Sequence, residues 1–247
     1  MISQAEQHGR YIFAIVSDTG ISHSINHIHN QDSVNFCIID SDFVLAVSDG
    51  VGSCTKAARG SRAAVSAAEL VFRTIKQENN LLSLSEIARN VISEWNAQLS
   101  NENVNECCAT LKSVFKIGNK MQLLSVGDGM LVITSGTRKK CAPIENDLFA
   151  NQTNCLHAHV LTTDFWLSEF YIDEDIPFAV FMCTDGVANV IQEGREIELV
   201  KEIENEIAAS ELQGELESLL RGASKYCPDD RTVGVVKYES SNARSKW

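Results

Sequence analysis

Three apolar runs in this chain end in the same way. Residues 44–47 lead into Ser48-Asp49-Gly50, residues 181–183 into Thr184-Asp185-Gly186, and residues 123–126 into Gly127-Asp128-Gly129. Short apolar runs bounded by Asp and Gly read as buried strands closed by turns. Each one alone is explained by turn chemistry, because Gly tolerates positive φ and Asp hydrogen-bonds its own backbone. Three together, with an acidic pair at Asp229-Asp230 ahead of the apolar stretch 232–236, point instead to carboxylates delivered to a shared metal site.

Composition narrows the setting. No Pro/Gly/Ser-rich linker interrupts the 247 residues, which read as one domain over residues 1–238 with a polar, disordered tail at 239–247. A hydrophobic content of 44% with 22% charged residues suits a globular core. No apolar run approaches the ~20 residues of a membrane span. Residues 1–10 are polar and lack the apolar segment of a signal peptide, so the expected location is the cytoplasm. The eight cysteines form no CxxC pair and several lie in apolar runs, which suggests buried thiols in a reducing compartment. A net charge of -12 argues against a nucleic-acid partner, since phosphate backbones need clustered Lys and Arg. It leaves a phosphorylated substrate open, because cations held by carboxylates invert the local potential.

Taken in order, residues 11–17 read as the first strand and 21–31, with three histidines, as a loop. Strands at 34–39 and 43–47 form a hairpin across Asp40-Ser41-Asp42. Helical spacing follows at 56–75 and 83–99, where Ser83 and Glu86 suit a capping box. Residues 109–117, 120–126 and 130–134 read as a meander, 135–158 as a long polar excursion, and 159–165 and 177–183 as further strands. Two Glu-rich helices at 196–207 and 210–223 precede a last strand at 232–238. This order suggests layered sheets with helices outside and does not alternate regularly enough for repeated βα units.

Hard divalent cations such as Mg²⁺ and Mn²⁺ favour oxygen ligands, and a short Asp side chain at a rigid strand end holds its oxygen firmly. Two such cations sharing a carboxylate can hold a hydroxide and bind phosphoryl oxygens. Acidic strand ends therefore suit metal-assisted phosphate hydrolysis, although spacing alone does not make them converge.

The ordered set Gly20-Ile-Ser-His23, Asn30-Gln-Asp32-Ser33, Ala46-Val-Ser-Asp49-Gly50-Val-Gly52-Ser53, Val126-Gly-Asp128-Gly129, Cys183-Thr-Asp185-Gly186 and Asp229-Asp-Arg-Thr232 resembles the protein phosphatase 2C family of metal-dependent serine/threonine phosphatases. The likeness runs from about Tyr11 to Tyr238. The short stretch after the first Asp-Gly and Phe149-Ala-Asn-Gln-Thr153 are similar to a compact bacterial branch. The resemblance implies an α+β fold, a four-layer α-β-β-α sandwich of two packed, mainly antiparallel sheets with helices on both outer faces. It implies two Mn²⁺ or Mg²⁺ ions, with a weaker third, and hydrolysis of phosphoserine and phosphothreonine in proteins by a hydroxide bridging two ions. By motif, Asp49 would bridge the metals, the Gly50 carbonyl would contact one, and Asp185 and Asp229 would complete the other's ligands. Asp128 would help hold the third ion with Asp185, and Asp32 would orient water. A phosphorylated protein partner opposing a serine/threonine kinase follows, and a monomer is expected.

Three positions depart from the family pattern. Gln31 stands where a Glu is frequent, His27 where many members carry a phosphate-binding Arg, and Val51 where animal members carry a proton-donating His. His23 is the candidate for the missing acid, since an imidazole of ordinary pKa near 6.5 can donate a proton or bind phosphate; the competing reading is a loop histidine bonded to backbone. Gln31 and His27 are candidates for supporting the site or binding phosphate, with a solvated His27 and His29 as the plainer alternative. A zinc site from His23, His27 and His29 lacks a fourth ligand and regular spacing. His157 and His159 read as structural, alternating as on a strand face. The Glu-rich stretch 193–217 lacks the spacing of a calcium loop and reads as a solvated helix face. Two rival functions remain: a catalytically weak or inactive binding module of the same fold, suggested by Gln31 and the missing Arg, and a hydrolase of small phosphate esters.

Overall fold

A computed structural model describes residues 1–143 and 154–240. The chain begins with β1 (Ile2–His8), β2 (Tyr11–Asp18), the short α1 (Ile21–Ile25), β3 (Ser33–Ile39) and β4 (Asp42–Ser48). Helices α2 (Ala57–Glu78) and α3 (Leu84–Gln98) follow, then β5 (Leu111–Ile117), β6 (Lys120–Val126), β7 (Met130–Ser135) and β8 (Arg138–Cys141). The last part holds β9 (Trp166–Tyr171), β10 (Phe178–Cys183), α4 (Asp185–Ala188), α5 (Glu196–Asn205), α6 (Leu212–Ala223) and β11 (Arg231–Tyr238). One sheet runs β1-β2-β11-β10-β7-β8 and the other β3-β4-β5-β6-β9, with every pairing antiparallel.

The alternation of side chains along each strand explains the layering. In β2, Phe13 and Ile15 face the other sheet, while Ile12, Ala14 and Val16 face the layer of α4–α6. In β4, Phe43, Leu45 and Val47 meet the first sheet, while Val44 and Ala46 meet α2 and α3. A strand apolar at every position is thus covered on both faces, although its pairing is antiparallel. Three apolar layers result, one between the sheets and one under each set of helices, which gives the expected α-β-β-α sandwich. Ser83 and Glu86 form the expected capping box, and Trp95, fully buried, donates Nε1–H to the Gly60 carbonyl at 3.1 Å, joining α3 to α2. Among the described residues no helix is long and apolar enough to cross a membrane.

Several readings need correction. The strand read as first is second: β1 pairs with β2 from Ile2↔Ser17 to His8↔Tyr11. It is an almost wholly exposed edge strand, so it carries no apolar alternation to betray it. Residues 21–25, read as loop, form the one-turn α1, which buries none of its residues. The meander holds only for β5 and β6. Strand β7 leaves that sheet and pairs with β10 from Phe178↔Ser135 to Cys183↔Met130, so the 127–129 link crosses between sheets and is no hairpin turn. Residues 159–165 are a turn and one 3₁₀ turn; the strand is β9, whose edge position leaves it partly exposed. His157 and His159 accordingly lie on no strand, and their rings meet edge-to-face at 6.4 Å. The reading of 135–158 as wholly irregular is amended by β8. The Phe149–Thr153 motif and the tail from 241 lie outside the described residues. Along α5, Glu196 and Glu204 are buried, and Glu204 accepts the Gly136 N–H at 2.8 Å, so that face is not uniformly solvated.

Phe43 is fully buried between the sheets and meets Phe13 at 5.3 Å and Tyr11 at 5.8 Å, both edge-on. Phe43→Ala should cost about 3–5 kcal/mol in urea denaturation, through lost burial and the cavity left behind. A loss below about 1 kcal/mol would show that the inter-sheet layer collapses around the vacancy.

Candidate metal centre

Strand register brings the acidic positions together. In the second sheet Ser33 pairs with Ser48, so one step further sets Asp32 opposite Asp49. In the first sheet Cys183 pairs with Met130 as the last pair, and Asp185 and Asp128 each stand two residues beyond it. Asp229 and Asp230 stand just before β11, next to β10. All therefore lie at one end of the sandwich, around a cleft of about 280 Å³ lined by Ser22, His23, Gln31, Asp49, Gly50, Val51, Gly52, Thr110, Asp128, Asp185 and Asp229. That lining holds four aspartates and neither lysine nor arginine.

The backbone around these groups is tightly fixed. The Thr110 N–H donates to the Asp49 carbonyl at 2.8 Å, and the Asp49 N–H donates to Thr110 Oγ1 at 2.9 Å. Gly50 bridges to Ala109, and a Cβ on Gly50 would lie 2.6 Å from the Ala57 backbone. At Gly186 a Cβ would lie 1.9 Å from the Asp230 carbonyl oxygen. Neither glycine has positive φ, so the turn explanation of these two Asp-Gly pairs is replaced by close backbone approach.

Asp32 is buried behind the cleft. Asn30 places it, accepting the Asp32 N–H at 2.8 Å and donating to Ser17 Oγ at 2.9 Å. Asp32 Oδ2 accepts the Thr184 hydroxyl at 2.8 Å, and Thr184 Oγ1 accepts the Thr232 N–H at 3.0 Å. Asp32 Oδ1 is buried and receives no hydrogen bond among the described residues. Burial, with the Asp230 charge, pushes the Asp32 carboxyl up to about 7 against the hydrogen bonds from Asp49 and Thr184. Burial and then the charges of Asp32 and Asp185 hold Asp49 well above the ordinary range. Burial, Asp128 and Asp229 push Asp185 up to about 6.

Asp230, outside the predicted ligand set, is the organising residue at the rim. It is 2% exposed and accepts the Gly20 N–H at 2.7 Å, His23 Nδ1 at 2.8 Å and the Gln31 N–H at 2.6 Å. It thereby ties the segment before β3 to the start of β11. His23 lines the cleft with Nδ1 committed to Asp230. His23, Asp229 and Asp230 offer ligand atoms within 4.8 Å of one another; His27 and His29 are not in that group. His27 is exposed, has φ of 56°, and does not line the cleft. Gln31 does line it, with its carbonyl accepting the Ser61 hydroxyl at 2.5 Å. Val51 lines it as an apolar group, its N–H donated to the Cys108 carbonyl at 3.0 Å. The sequence motifs contained the signals for two overlooked residues, Asp230 beside Asp229 and Thr184 before Asp185. Buried Lys112, which donates to the Gly127 carbonyl behind Asp128, had no such signal.

The donor set fits hard divalent cations. The candidate ligating atoms are oxygens, burial and then neighbouring carboxylates push Asp32, Asp49 and Asp185 above the ordinary carboxyl range, and among the described residues no side-chain donor reaches Asp32 Oδ1. At an effective dielectric near 20, two like charges about 4 Å apart repel by about 4 kcal/mol, and no cationic side chain lines the cleft to offset this.

Comparison with known proteins agrees with this geometry. The model of the family described as protein phosphatase 2C matches residues 19–221. No curated protein matches the chain. Among solved structures, RsbX in complex with magnesium superposes with a TM-score of 0.65 at 15% identity, covering 96% of this chain and 100% of that one. The catalytic domain of the serine/threonine phosphatase PstP, in complex with two manganese ions, gives 0.65 at 18% identity, covering 93% and 99%. Serine-threonine phosphatase 2C from Toxoplasma gondii gives 0.69 at 10% identity, covering 96% and 99%. At these identities the structures share the fold.

The raised carboxyls have a consequence for stability. A carboxyl whose folded pKa lies above its unfolded value stabilises the fold only while protonated. For Asp32 that contribution is present below about 4 and is lost as pH rises through about 7 in metal-free protein. In the presence of chelator, Asp32→Asn should therefore raise stability at pH 8 by on the order of 2 kcal/mol, and by much less at pH 5. Thermal unfolding at the two pH values checks this; an equal gain at both would refute it.

Proposed function

We infer that this chain, which belongs to the protein phosphatase 2C family, hydrolyses phosphoserine and phosphothreonine esters in proteins with two Mn²⁺ or Mg²⁺ ions. The observation that carries this reading is a cleft lined by four aspartates with neither lysine nor arginine. Asp49 would serve both ions, the Gly50 carbonyl would contact one of them, Asp185 and Asp229 would complete the other's ligands, and Asp128 would serve a weaker third ion beside Asp185. Divalent cations bound there would supply Lewis acidity, a lowered pKa for water, and charge to bind phosphoryl oxygens.

The chain's own groups do the rest. Asp32, fixed by Asn30 and Thr184 behind the cleft, would orient water held there. His23, with Nδ1 on Asp230 and its ring in the cleft lining, would be the group that protonates the leaving alkoxide. With His27 outside the cleft lining and no arginine in it, His23 and the bound cations would be what grips phosphate. Gln31 keeps an oxygen at the rim but no charge, which weakens cation binding without abolishing it. Among the lining residues Asp229 is exposed, as access for a protein substrate requires.

Release of phosphate from a phosphothreonine peptide should require millimolar Mn²⁺ and stop with chelator, and Asp49→Asn should fall by more than ~10²-fold. An inactive wild type, or an active variant, would overturn the reading. His23→Ala should lower kcat by ~10²-fold and remove the alkaline limb of the pH–rate profile. An unchanged profile would exclude His23 as the acid. Asp230→Asn should shift that same limb while leaving KM nearly unchanged, as expected of a residue acting through His23.

A further inference from the structure

Three of the eight cysteines, Cys54, Cys108 and Cys155, come from separate segments and meet beside the cleft, where the phosphatase reading assigns them no part. Cys54 lies in the loop after β4, Cys108 just before β5, and Cys155 beside Leu156, which bridges to Ala109. Cys54 Sγ and Cys108 Sγ both donate to the Asn105 carbonyl at 3.5 Å, so the two sulfurs converge on one oxygen. Cys108 also meets the Cys155 thiol, which puts it in the middle of the row. The backbone holds the row in place: Val51 N–H donates to the Cys108 carbonyl at 3.0 Å, and Cys54 N–H to the Val51 carbonyl at 2.8 Å. None of the three is fully buried, unlike Cys37, Cys107 and Cys183.

A soft metal would be one use for three thiols. Among the described residues, however, the ligand atoms that close to within 4.8 Å are those of His23, Asp229 and Asp230, and the three sulfurs do not gather in that way. A row with a shared central sulfur suits thiol–disulfide chemistry instead, in which one thiol is attacked and its neighbour resolves it.

We propose that Cys54, Cys108 and Cys155 form an oxidation site in which Cys108 is the shared resolving thiol and closes a reversible disulfide with Cys54. The oxidant is a hydroperoxide. The Cys54 thiolate attacks one peroxide oxygen, the O–O bond breaks, and a sulfenic acid forms while the other oxygen leaves and, taking a proton, becomes water or an alcohol. Cys108 sulfur then attacks the sulfenic sulfur; the S–O bond breaks, the S–S bond forms, and the thiol proton leaves with that oxygen as a second water. Two thiols lose two electrons in all and the peroxide gains them. Burial and the neighbouring Cys155 and Cys54 sulfurs push the Cys108 thiol up to about 12, which suits the second step's thiol better than the first's. The disulfide would tie the Val51–Cys54 loop, next to Gly50, to the lead of β5.

The test uses the full chain, reduced and then exposed to hydrogen peroxide without reductant. Thiol titration should fall from eight to about six, and non-reducing digestion with mass spectrometry should find Cys54 joined to Cys108. Dithiothreitol should restore all eight. Cys108→Ser should form no disulfide and lose at most the one thiol of Cys54, as its sulfenic acid, at the same peroxide dose, whereas Cys141→Ser, at the exposed cysteine on β8, should still lose two. A Cys108–Cys155 link would support the shared thiol with its other partner. Loss of thiols to a pair that excludes Cys108, or equal loss in Cys108→Ser, would overturn the proposal. Should Cys108→Ser fail to fold, the Cys54→Ser/Cys155→Ser double variant serves equally, since it leaves Cys108 with neither partner and should lose no thiols.

Discussion

Crowding like charges at one end of a sandwich is the constraint around which the rest of this molecule is arranged. Burial and mutual repulsion raise the carboxyls of Asp32, Asp49 and Asp185, and no lysine or arginine lines the cleft to relieve them. A fold tolerates such a cluster only if the surrounding backbone cannot yield, because any freedom would let the carboxylates part and hydrate. The cost is met by apolar layers far larger than the site, and by the cations the site is suited to hold.

Rigidity comes from two sources. The sheets deliver Asp32 and Asp49 one residue beyond the last pair of β3 with β4, and Asp128 and Asp185 two residues beyond the last pair of β7 with β10, so rigid strand ends carry all four. Asp230 supplies the second, joining Gly20, His23 and Gln31 to the start of β11 with one buried carboxylate. Its role is to position, and it fixes His23 through one ring nitrogen. The glycines after Asp49 and Asp185 complete the frame by letting backbone pack on backbone, at Ala57 and at Asp230.

Where the sequence misled, burial explains why. Strand β1 and helix α1 hide from pattern reading because they bury almost nothing, and periodicity reports only a difference between two faces. Strand β7 was legible as a strand but not as a member of the opposite sheet, since a strand covered on both sides looks the same in either. The shift from 159–165 to β9 has a similar origin: the stretch read as a strand is a turn ended by the Asp164 carboxylate accepting the Leu161 N–H at 2.7 Å.

What the sequence by itself determined is the set of strands covered on both faces, the two capped or amphipathic helices that cover one sheet, and the oxygen-rich chemistry of the Asp-Gly ends. Those depend on local composition and period, which any reader of residues 44–50 or 178–186 can see. The family motifs went further and named Asp32, Asp49, Asp128, Asp185 and Asp229 together, although they also put forward His27, which the structure leaves outside the cleft lining. Only the tertiary structure decided that β7 crosses between the sheets and so carries Asp128 to Asp185, that Asp230 holds His23, and that three thiols from distant segments meet beside Val51. Each of these joins residues far apart in the chain, and such meetings are set by the packing of whole layers, which no local pattern encodes.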